Sequence, residues 1–386
     1  MQVIFGGWYQ RTTLHLSEVY DLFSKGKSDL PLSSNKLNEL KDNLSILDIT
    51  RESGYLELVK AVTKSGITIK YYEDGLYTLE TDSDNVLEAK EFLVEYYESR
   101  MVPALEYIFS LGAPTPKVLA NLKTVHPTVV ADKSPDFSKY KIDEKTYGEV
   151  YSKTESGDFC VYKTPAYIFV VSKHKNEQML NNLVDLQIFF REFKDQLQKY
   201  LNIHRQIWQE ISELKEQKQI RGKDIRAARI KLDQYQNTIS LISNRINQMG
   251  SYVKTRQIIA KEFKLEDSLL KLYQYKFDAL NDSLTYIKEI WKMTSDYVAN
   301  SIKVLVEIEE MSLNNSIKSL QIITSIGVLS SVLGYLTRET LPKPTTSGLI
   351  FFGILTVSAI LLNFVISVIY KNIKYKLKFV DRISDI

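Results

Sequence analysis

Two apolar stretches decide the fold: SLQIITSIGVLSSVLGYLT at residues 319–337 and GLIFFGILTVSAILLNFVISVIY at residues 348–370. Neither stretch contains a charged residue. A helix needs about 20 apolar residues to cross roughly 30 Å of hydrocarbon, whereas a soluble helix of this length carries a polar face toward water. The two stretches therefore predict a transmembrane hairpin. Its outer loop is residues 338–347, where Pro342 and Pro344 favour a turn.

Basic residues around the hairpin indicate its orientation. The tail, residues 371–386, contains Lys371, Lys374, Lys376, Lys378 and Arg382, whereas the loop contains only Arg338 and Lys343. Lysine and arginine favour the cytoplasmic side of a membrane. We therefore expect a multi-pass protein of the cytoplasmic membrane, with both termini in the cytoplasm.

Composition excludes several classes of protein. The 386 residues carry a formal net charge of +3, which is too small to indicate a nucleic-acid partner. The single cysteine, Cys160, cannot form an internal disulfide. The four histidines, at positions 15, 126, 174 and 204, do not have the spacing of a zinc site. The N-terminus lacks a basic region followed by an apolar core, so no signal peptide is expected.

Residues 1–172 are predicted to form a cytoplasmic α+β domain, because runs of β-branched and aromatic residues alternate with helical patterns. The predicted strands are residues 2–5, 67–72, 76–80, 128–131, 159–163 and 166–171, and the predicted helices are residues 34–44 and 84–111. Pro103 should kink the second helix. No phosphate-binding glycine loop and no partnered serine or cysteine nucleophile is found, so we expect no enzyme activity.

Residues 173–318 are predicted to form long antiparallel helices that resemble a coiled coil. Apolar residues repeat at steps of three and four, as in heptads. The first series is Leu183, Leu186, Phe190, Phe193, Leu197, Tyr200, His204, Ile207, Ile211 and Leu214; the second is Ile225, Ala228, Leu232, Tyr235, Ile239, Ile242, Ile246 and Met249; the third is Leu270, Tyr273, Phe277, Leu280, Leu284, Ile287 and Trp291. Gly222 and Gly250 predict helix ends.

A third helix should begin near Ser251 and continue into the first membrane segment, with residues 265–268 as a candidate cap. His204 occupies a position in the first series, which favours a core histidine with one partner over a metal or proton site. A basic run surrounds the turn at Gly222: Lys215, Lys218, Arg221, Lys223, Arg226, Arg229 and Lys231. It is compatible with binding phosphate or an acidic partner, and a solvated helix tip is the simpler interpretation.

One face of the third helix carries a mostly polar stripe into the membrane. Its positions are Glu307, Glu310, Asn314, Ile317, Gln321, Thr324, Val328, Ser331, Tyr335 and Arg338. Polar groups inside a span need shelter from lipid, and identical helices arranged in a ring can provide it. The stripe therefore predicts a homo-oligomer with a central pore. The alternative is that its hydroxyl and amide groups only join helices together.

The order of these parts resembles the CorA-type magnesium transporter family. The segment NNSIKSLQIITSI, residues 314–326, is similar to the start of that family's first membrane helix. The resemblance implies a homopentamer that moves divalent cations, magnesium first. No cofactor is expected, and magnesium is a transported or a regulatory ion. The resemblance also implies that Asn314 forms a ring at the inner mouth, that Ile317, Leu320 and Val328 form a hydrophobic constriction, and that Glu307 and Glu310 gather cations.

The chain departs from this family at the outer end of the first membrane helix. The family has Gly-Met-Asn there, and this sequence contains no Gly-Met-Asn. Counting without gaps from Asn314 places Arg338, Glu339 and Thr340 at the mouth, and the nearest glycine begins Gly334-Tyr335-Leu336. A positive mouth repels cations. We therefore expect weak magnesium flux.

The sequence is compatible with three functions. The leading one is a CorA-like channel for ions. The second is a membrane effector of antiviral defence, gated by a small nucleotide that binds the N-terminal domain. The third is a membrane scaffold that conducts nothing.

Overall fold

The computed structural model describes residues 1–9, 16–110, 126–173, 176–216, 219–336 and 346–376. The side chains of residues 214–216, 333–336, 348–349 and 351–352 are not described. The chain forms two compact units. The sheet unit comprises Met1–Ile203 and Leu241–Ile290, and the helical unit comprises His204–Ser240 and Trp291–Ile386.

The sheet unit is built on a nine-stranded sheet. Its strands are β1 (Gln2–Trp8), β2 (Ile46–Glu52), β3 (Leu58–Thr63), β4 (Thr68–Tyr72), β5 (Leu76–Asp82), β6 (Thr128–Lys133), β7 (Ser152–Ser156), β8 (Phe159–Lys163) and β9 (Tyr167–Ser172). Their order is β2-β3-β4-β5-β1-β6-β9-β8-β7. Neighbouring strands run antiparallel except β6 and β9, which are parallel. All six predicted strands are present, and β2, β3 and β7 were not predicted.

Four helices join the sheet in one buried core. They are α1 (Leu16–Lys25), α2 (Ser34–Leu44), α3 (Val86–Tyr96) and α4 (Val102–Phe109). The side chain of Asn85 caps α3 by accepting from the backbone N–H groups of residues 87 and 88. A π-helical turn, Tyr97–Met101, separates α3 from α4 just before Pro103. The proline therefore acts at the predicted place, by widening one turn of the helix and not by ending it.

The remaining elements are mainly long helices. They are α5 (Glu144–Tyr147), α6 (Glu177–Glu216), α7 (Gly222–Glu262), α8 (Glu266–Tyr273), α9 (Phe277–Leu336) and α10 (Thr346–Asn372), with two short strands, β10 (Gln219–Arg221) and β11 (Lys374–Lys376). In the sheet unit, Trp8 of β1 contacts Phe189 and Phe193 of α6, with ring centroids 5.8 Å apart in both pairs.

The structure confirms most of the predicted helical seams. In the first two series, every member whose side chain is described is buried or half-buried. In the third series Leu270 is 40% exposed, whereas Leu269 is buried. At this point of α8 the buried position is therefore offset by one residue from the predicted series. The helical spacing is interrupted because α8 ends before Gln274, whose φ of 60° is left-handed, and α9 begins only at Phe277.

Two predicted helix boundaries are wrong. Gly250 lies inside α7, which continues to Glu262. A glycine costs a helix about 1 kcal/mol relative to alanine, which the packing of a 41-residue helix offsets. No helix begins at Ser251, because α7 continues through it. The candidate cap at residues 265–268 is confirmed as a helix start, since α8 begins at Glu266, and α9 begins at Phe277 after a second break. The 60 residues of α9 still span about 90 Å at about 1.5 Å per residue.

The helical unit contains the turn between α6 and α7. A salt bridge of 2.9 Å joins Lys231 of α7 to Glu210 of α6, as expected for an antiparallel pair that turns near Gly222. His204 Nε2 lies 2.7 Å from the hydroxyl of Thr294, which confirms a core histidine with one partner. Burial, with a smaller contribution from Arg205, lowers the pKa of His204 and keeps it neutral at pH 7.

Candidate functional site

The packing of α9 ends well before the helix does. Trp291, Val298, Leu305 and Ile308 are buried against the rest of the chain. From Glu309 to Val332 no described side chain is buried. Large apolar side chains lie in this bare part; Ile322 is 61% exposed and Leu329 is 61% exposed. An exposed apolar surface of this extent is typical of a site that contacts a membrane or another protein.

Seven of the eight predicted pore-lining residues lie on this bare part of α9. Asn314, Ile317, Gln321, Thr324, Val328 and Ser331 are exposed, and Leu320 is half-exposed. Because α9 is continuous, their steps of three and four place them on one face. Glu307 and Glu310 are exposed on the same helix. The side chain of Tyr335 and the predicted outer mouth, Arg338, Glu339 and Thr340, lie outside the described residues.

Two hydroxyl groups of the stripe are satisfied within α9. Thr324 donates to the carbonyl of Leu320 at 2.8 Å, and Ser331 donates to the carbonyl of Gly327 at 2.9 Å. Hydroxyl groups bonded in this way do not require a partner from another helix. The prediction that every polar group of the stripe needs shelter is therefore too broad. The groups that still need it inside a bilayer are chiefly the amide of Gln321 and, at the inner end, that of Asn314.

Within the described residues, one helix is long and apolar enough to cross a membrane. It is the part of α10 from Gly353 to Asn372, which is 20 residues long and has no buried residue. This result rests on length and composition alone. The other predicted span, residues 319–337, is helical as far as Leu336, but a second crossing stays a prediction.

A hydrogen bond connects the two predicted spans. The hydroxyl groups of Ser319 in α9 and Tyr370 in α10 lie 2.7 Å apart. Ser319 is the first residue of one predicted span, and Tyr370 is the last residue of the other. Tyrosine is enriched at the interface between membrane and water, where its ring is apolar and its hydroxyl is wet. The contact is therefore consistent with one shared inner boundary for both segments.

A two-stranded ladder, missed by the sequence analysis, joins the end of α10 to the turn between α6 and α7. β10 pairs antiparallel with β11, with Arg221 opposite Lys374. The backbone N–H of Gly222 donates to the carbonyl of Ile373 at 3.1 Å. A Cβ atom on Gly222 would lie 2.7 Å from the carbonyl oxygen of Tyr370, so only glycine fits without displacement. The basic run around Gly222 was the available signal, but strand pairing between such distant segments leaves no local pattern.

The sheet unit contains a second candidate site, built on buried charges. Arg256 of α7 makes two hydrogen bonds, of 2.8 and 3.0 Å, to the carboxylate of Asp74 in the turn between β4 and β5. Arg256 is 2% exposed and Asp74 is fully buried. Tyr72 donates to Asp185 of α6 at 2.5 Å, and burial together with that carboxylate raises the pKa of Tyr72 well above its ordinary value. Tyr72 therefore keeps its proton.

A cavity of about 320 Å³ lies beside this ionic cluster, lined in part by Glu52, Tyr55, Asp185, Arg256 and Phe263. Its size and mixed lining suit a small ligand. No group of three or more metal-ligating side chains is found in the part of the chain that the structure describes.

Comparisons with family models, curated proteins and solved structures find no match to this chain. What the chain shows by itself is a mixed sheet domain, long helices and one helix that could cross a membrane.

Proposed function

We propose that the protein is a membrane-embedded homo-oligomer that conducts ions along the polar face of α9. One observation carries this proposal: from Glu309 to Val332, the described part of α9 has no buried side chain, although its surface is rich in exposed isoleucine, leucine and valine. Lipid suits the apolar faces of such a helix, and equivalent helices suit its polar face. A ring of chains satisfies both requirements.

The resemblance to CorA-type transporters supports the details of this assembly. It gives five chains and a divalent cation, magnesium first, as the transported ion. The lysine and arginine count around the hairpin gives a cytoplasmic position for both termini. Lipid and further copies of the chain are then its partners. Arg338, which stands where the family has its signature, opposes cation passage and predicts a slow or weakly selective pore.

The residues along the proposed ion pathway have different chemical roles at successive positions on α9. Glu307 and Glu310 raise the local concentration of cations at the cytoplasmic end. Asn314 and Gln321 offer amide oxygens that replace part of the hydration shell of an ion. Ile317, Leu320 and Val328 narrow the pathway with apolar side chains, which can close it by excluding water.

Ion flux into proteoliposomes tests this proposal, with magnesium, cobalt, sodium and chloride compared. Ser331 and Ser330 provide a matched pair, because adjacent helix positions differ in direction by about 100°. Ser331→Val removes a hydroxyl from the stripe, and we expect flux to fall by about tenfold, the equivalent of one hydrogen bond at the barrier. Ser330→Val makes the same change about 100° around the helix, off the stripe, and should leave flux unchanged. Equal effects of both variants, or no flux of any ion, would contradict conduction along this face.

A nucleotide-gated membrane effector is the second candidate, and the cavity in the sheet unit is the observation that favours it. Its charges argue against a phosphate-bearing ligand, however. Arg256 is already neutralised by Asp74, and the lining residues Glu52 and Asp185 add negative charge. A nucleotide that raises the melting temperature of the purified protein and also opens the pore would move this candidate to first place. A folded oligomer that passes no ion would instead favour a scaffold.

A further inference from the structure

The ladder of β10 and β11 brings basic side chains together where the end of α10 meets the turn between α6 and α7. We call this cluster the basic collar: Arg221, Lys223, Arg226, Lys371, Lys374 and Lys376. All six side chains are exposed. The two segments that contain them, residues 219–226 and 371–376, hold one acidic residue, Asp224, so their net charge is +6 − 1 = +5.

Nothing within the described residues neutralises the collar. Two nearby cations do have partners, since Arg229 pairs with Glu309 and Lys231 pairs with Glu210. None of the six collar residues makes an ion pair with a described carboxylate. Among the described basic residues around Gly222 and the end of α10, the unpaired positive charge is therefore confined to the six collar residues and does not include Arg229 and Lys231.

The register of the ladder increases the repulsion within the collar. Arg221 and Lys374 are direct partners across the two strands. Like charges placed directly opposite each other destabilise a ladder. The position of Lys371 in the last turn of α10 is explained by the helix dipole, but that explanation does not extend to Arg221 and Lys374. An anion bound between the strands would turn this repulsion into attraction.

The start of α7 also favours an anion at the collar. The 41-residue helix α7 begins at Gly222, and the positive end of its dipole lies within the collar. The N–H of Gly222 is already bonded to the carbonyl of Ile373, so the N–H groups of the residues that follow are the ones that can face an anion.

The position of the collar along α10 indicates which anion it meets. Lys371 directly follows Tyr370 at the end of the apolar helix Gly353–Asn372. When that helix crosses a bilayer, the residues at its end lie among the headgroups, where the fixed anions are lipid phosphates. Lysine and arginine side chains are long enough to reach them while their methylene groups stay on apolar surface.

We propose that the basic collar binds the phosphate headgroups of anionic lipids in the leaflet where α10 ends. This inference rests on the membrane insertion in the proposed function and is independent of ion conduction. Each lysine or arginine near an anionic surface contributes about a fivefold gain in binding. The attraction weakens as salt rises, because the Debye length falls from about 10 Å at 0.1 M to about 3 Å at 1 M.

The test is native mass spectrometry of the full chain, released from bilayers that contain equal amounts of phosphatidylcholine and phosphatidylglycerol. We expect the wild type to retain phosphatidylglycerol in preference to phosphatidylcholine. The variant with Lys371, Lys374 and Lys376 changed to Gln should lose at least tenfold of that preference. A matched control changes the exposed lysines 64, 271 and 276 to Gln and should keep it. Replacing the three collar lysines by arginine should also keep it, which separates loss of charge from loss of structure.

Several outcomes would overturn the inference. Equal retention of both lipids by the wild type refutes it, as does undiminished preference in the glutamine variant. Displacement of the lipid by millimolar inorganic phosphate would show a site for free phosphate instead. A chain that does not enter bilayers removes both this inference and the proposed function, whereas a chain that selects phosphatidylglycerol but passes no ion removes only conduction.

Discussion

Replacing Arg256 by methionine should locally destabilise the sheet unit by about 3–5 kcal/mol. The substitution keeps much of the apolar volume of the side chain but leaves the carboxylate of Asp74 buried without a counter-charge. Removing one partner of a buried ion pair costs about that much, because the remaining charge keeps its full desolvation penalty. The effect should reach β1 and β5, since Asp74 also accepts from the backbone N–H of Leu76 and its carbonyl accepts from the indole of Trp8.

Hydrogen exchange followed by mass spectrometry measures this effect directly, in the amides of β5 (Leu76–Asp82). A loss of 3 kcal/mol in the free energy of opening corresponds to exchange about 150-fold faster, at 1.36 kcal/mol for each factor of ten. Arg51 provides the control, because its partner is the exposed Glu57. Arg51→Met breaks a surface ion pair and should cost at most about 1 kcal/mol.

The double variant Arg256→Met with Asp74→Asn tests the cause. Asparagine carries no charge, so most of the lost protection should return. Acceleration of less than tenfold in Arg256→Met would refute the reasoning, and so would a double variant that exchanges as fast as the single one. In either case the pair would not be the element that holds this turn in place.

Three further predictions concern the membrane region. A cysteine at Ser347 should react with an impermeant thiol reagent added to intact cells, whereas a cysteine at Lys376 should not; the reverse pattern would contradict the proposed orientation. Cysteines at Gln219 and Lys376, which are register partners, should form a disulfide on oxidation. Adding Gly222→Val should reduce the disulfide yield severalfold, because the new side chain meets a carbonyl of α10. An unchanged yield would show that pairing of the two strands does not depend on the close contact between Gly222 and α10. Arg338→Asn should raise magnesium flux at low ionic strength by up to about a thousandfold, and by less at high salt. An arginine about 8 Å from a divalent ion costs about 4 kcal/mol at an effective dielectric of about 20, and each 1.36 kcal/mol is a factor of about ten. Fast flux in the wild type that the variant leaves unchanged would place that residue away from the ion path.

The sequence predicted the central strands of the sheet but missed both of its edges. β9, YIFVVS, is buried at all six positions, so its continuous apolar, β-branched composition identifies it as a central strand. β7, SKTES, is the last strand of the sheet and contains no large apolar residue. β2 at the other edge exposes Asp48 and Arg51. Charged residues protect sheet edges from pairing with other chains, and the same residues hide an edge strand from pattern analysis.

The helices show a similar division. Heptad spacing identified the buried positions of α6 and α7, because packing against a neighbour imposes that spacing directly. Gly250 misled the boundary prediction, since propensity is a weak signal inside a long packed helix. The ion pair of Asp74 and Arg256 joins residues 182 positions apart. A pattern within a short stretch of sequence cannot predict such a long-range contact. The stripe on α9 could be predicted because its members from Glu307 to Tyr335 lie on one continuous helix.

The ladder of β10 and β11 also constrains the order in which the chain can be assembled. Arg221 leaves the ribosome 153 residues before its partner Lys374, and both apolar segments are synthesised in between. The edge of β10 therefore has no partner while α9 and α10 are being made. The turn between α6 and α7 can pair with the end of α10, through β10 and β11, only after α10 has been synthesised. In a chain whose apolar segments enter the bilayer as they emerge, closure of this ladder becomes a late step that follows insertion.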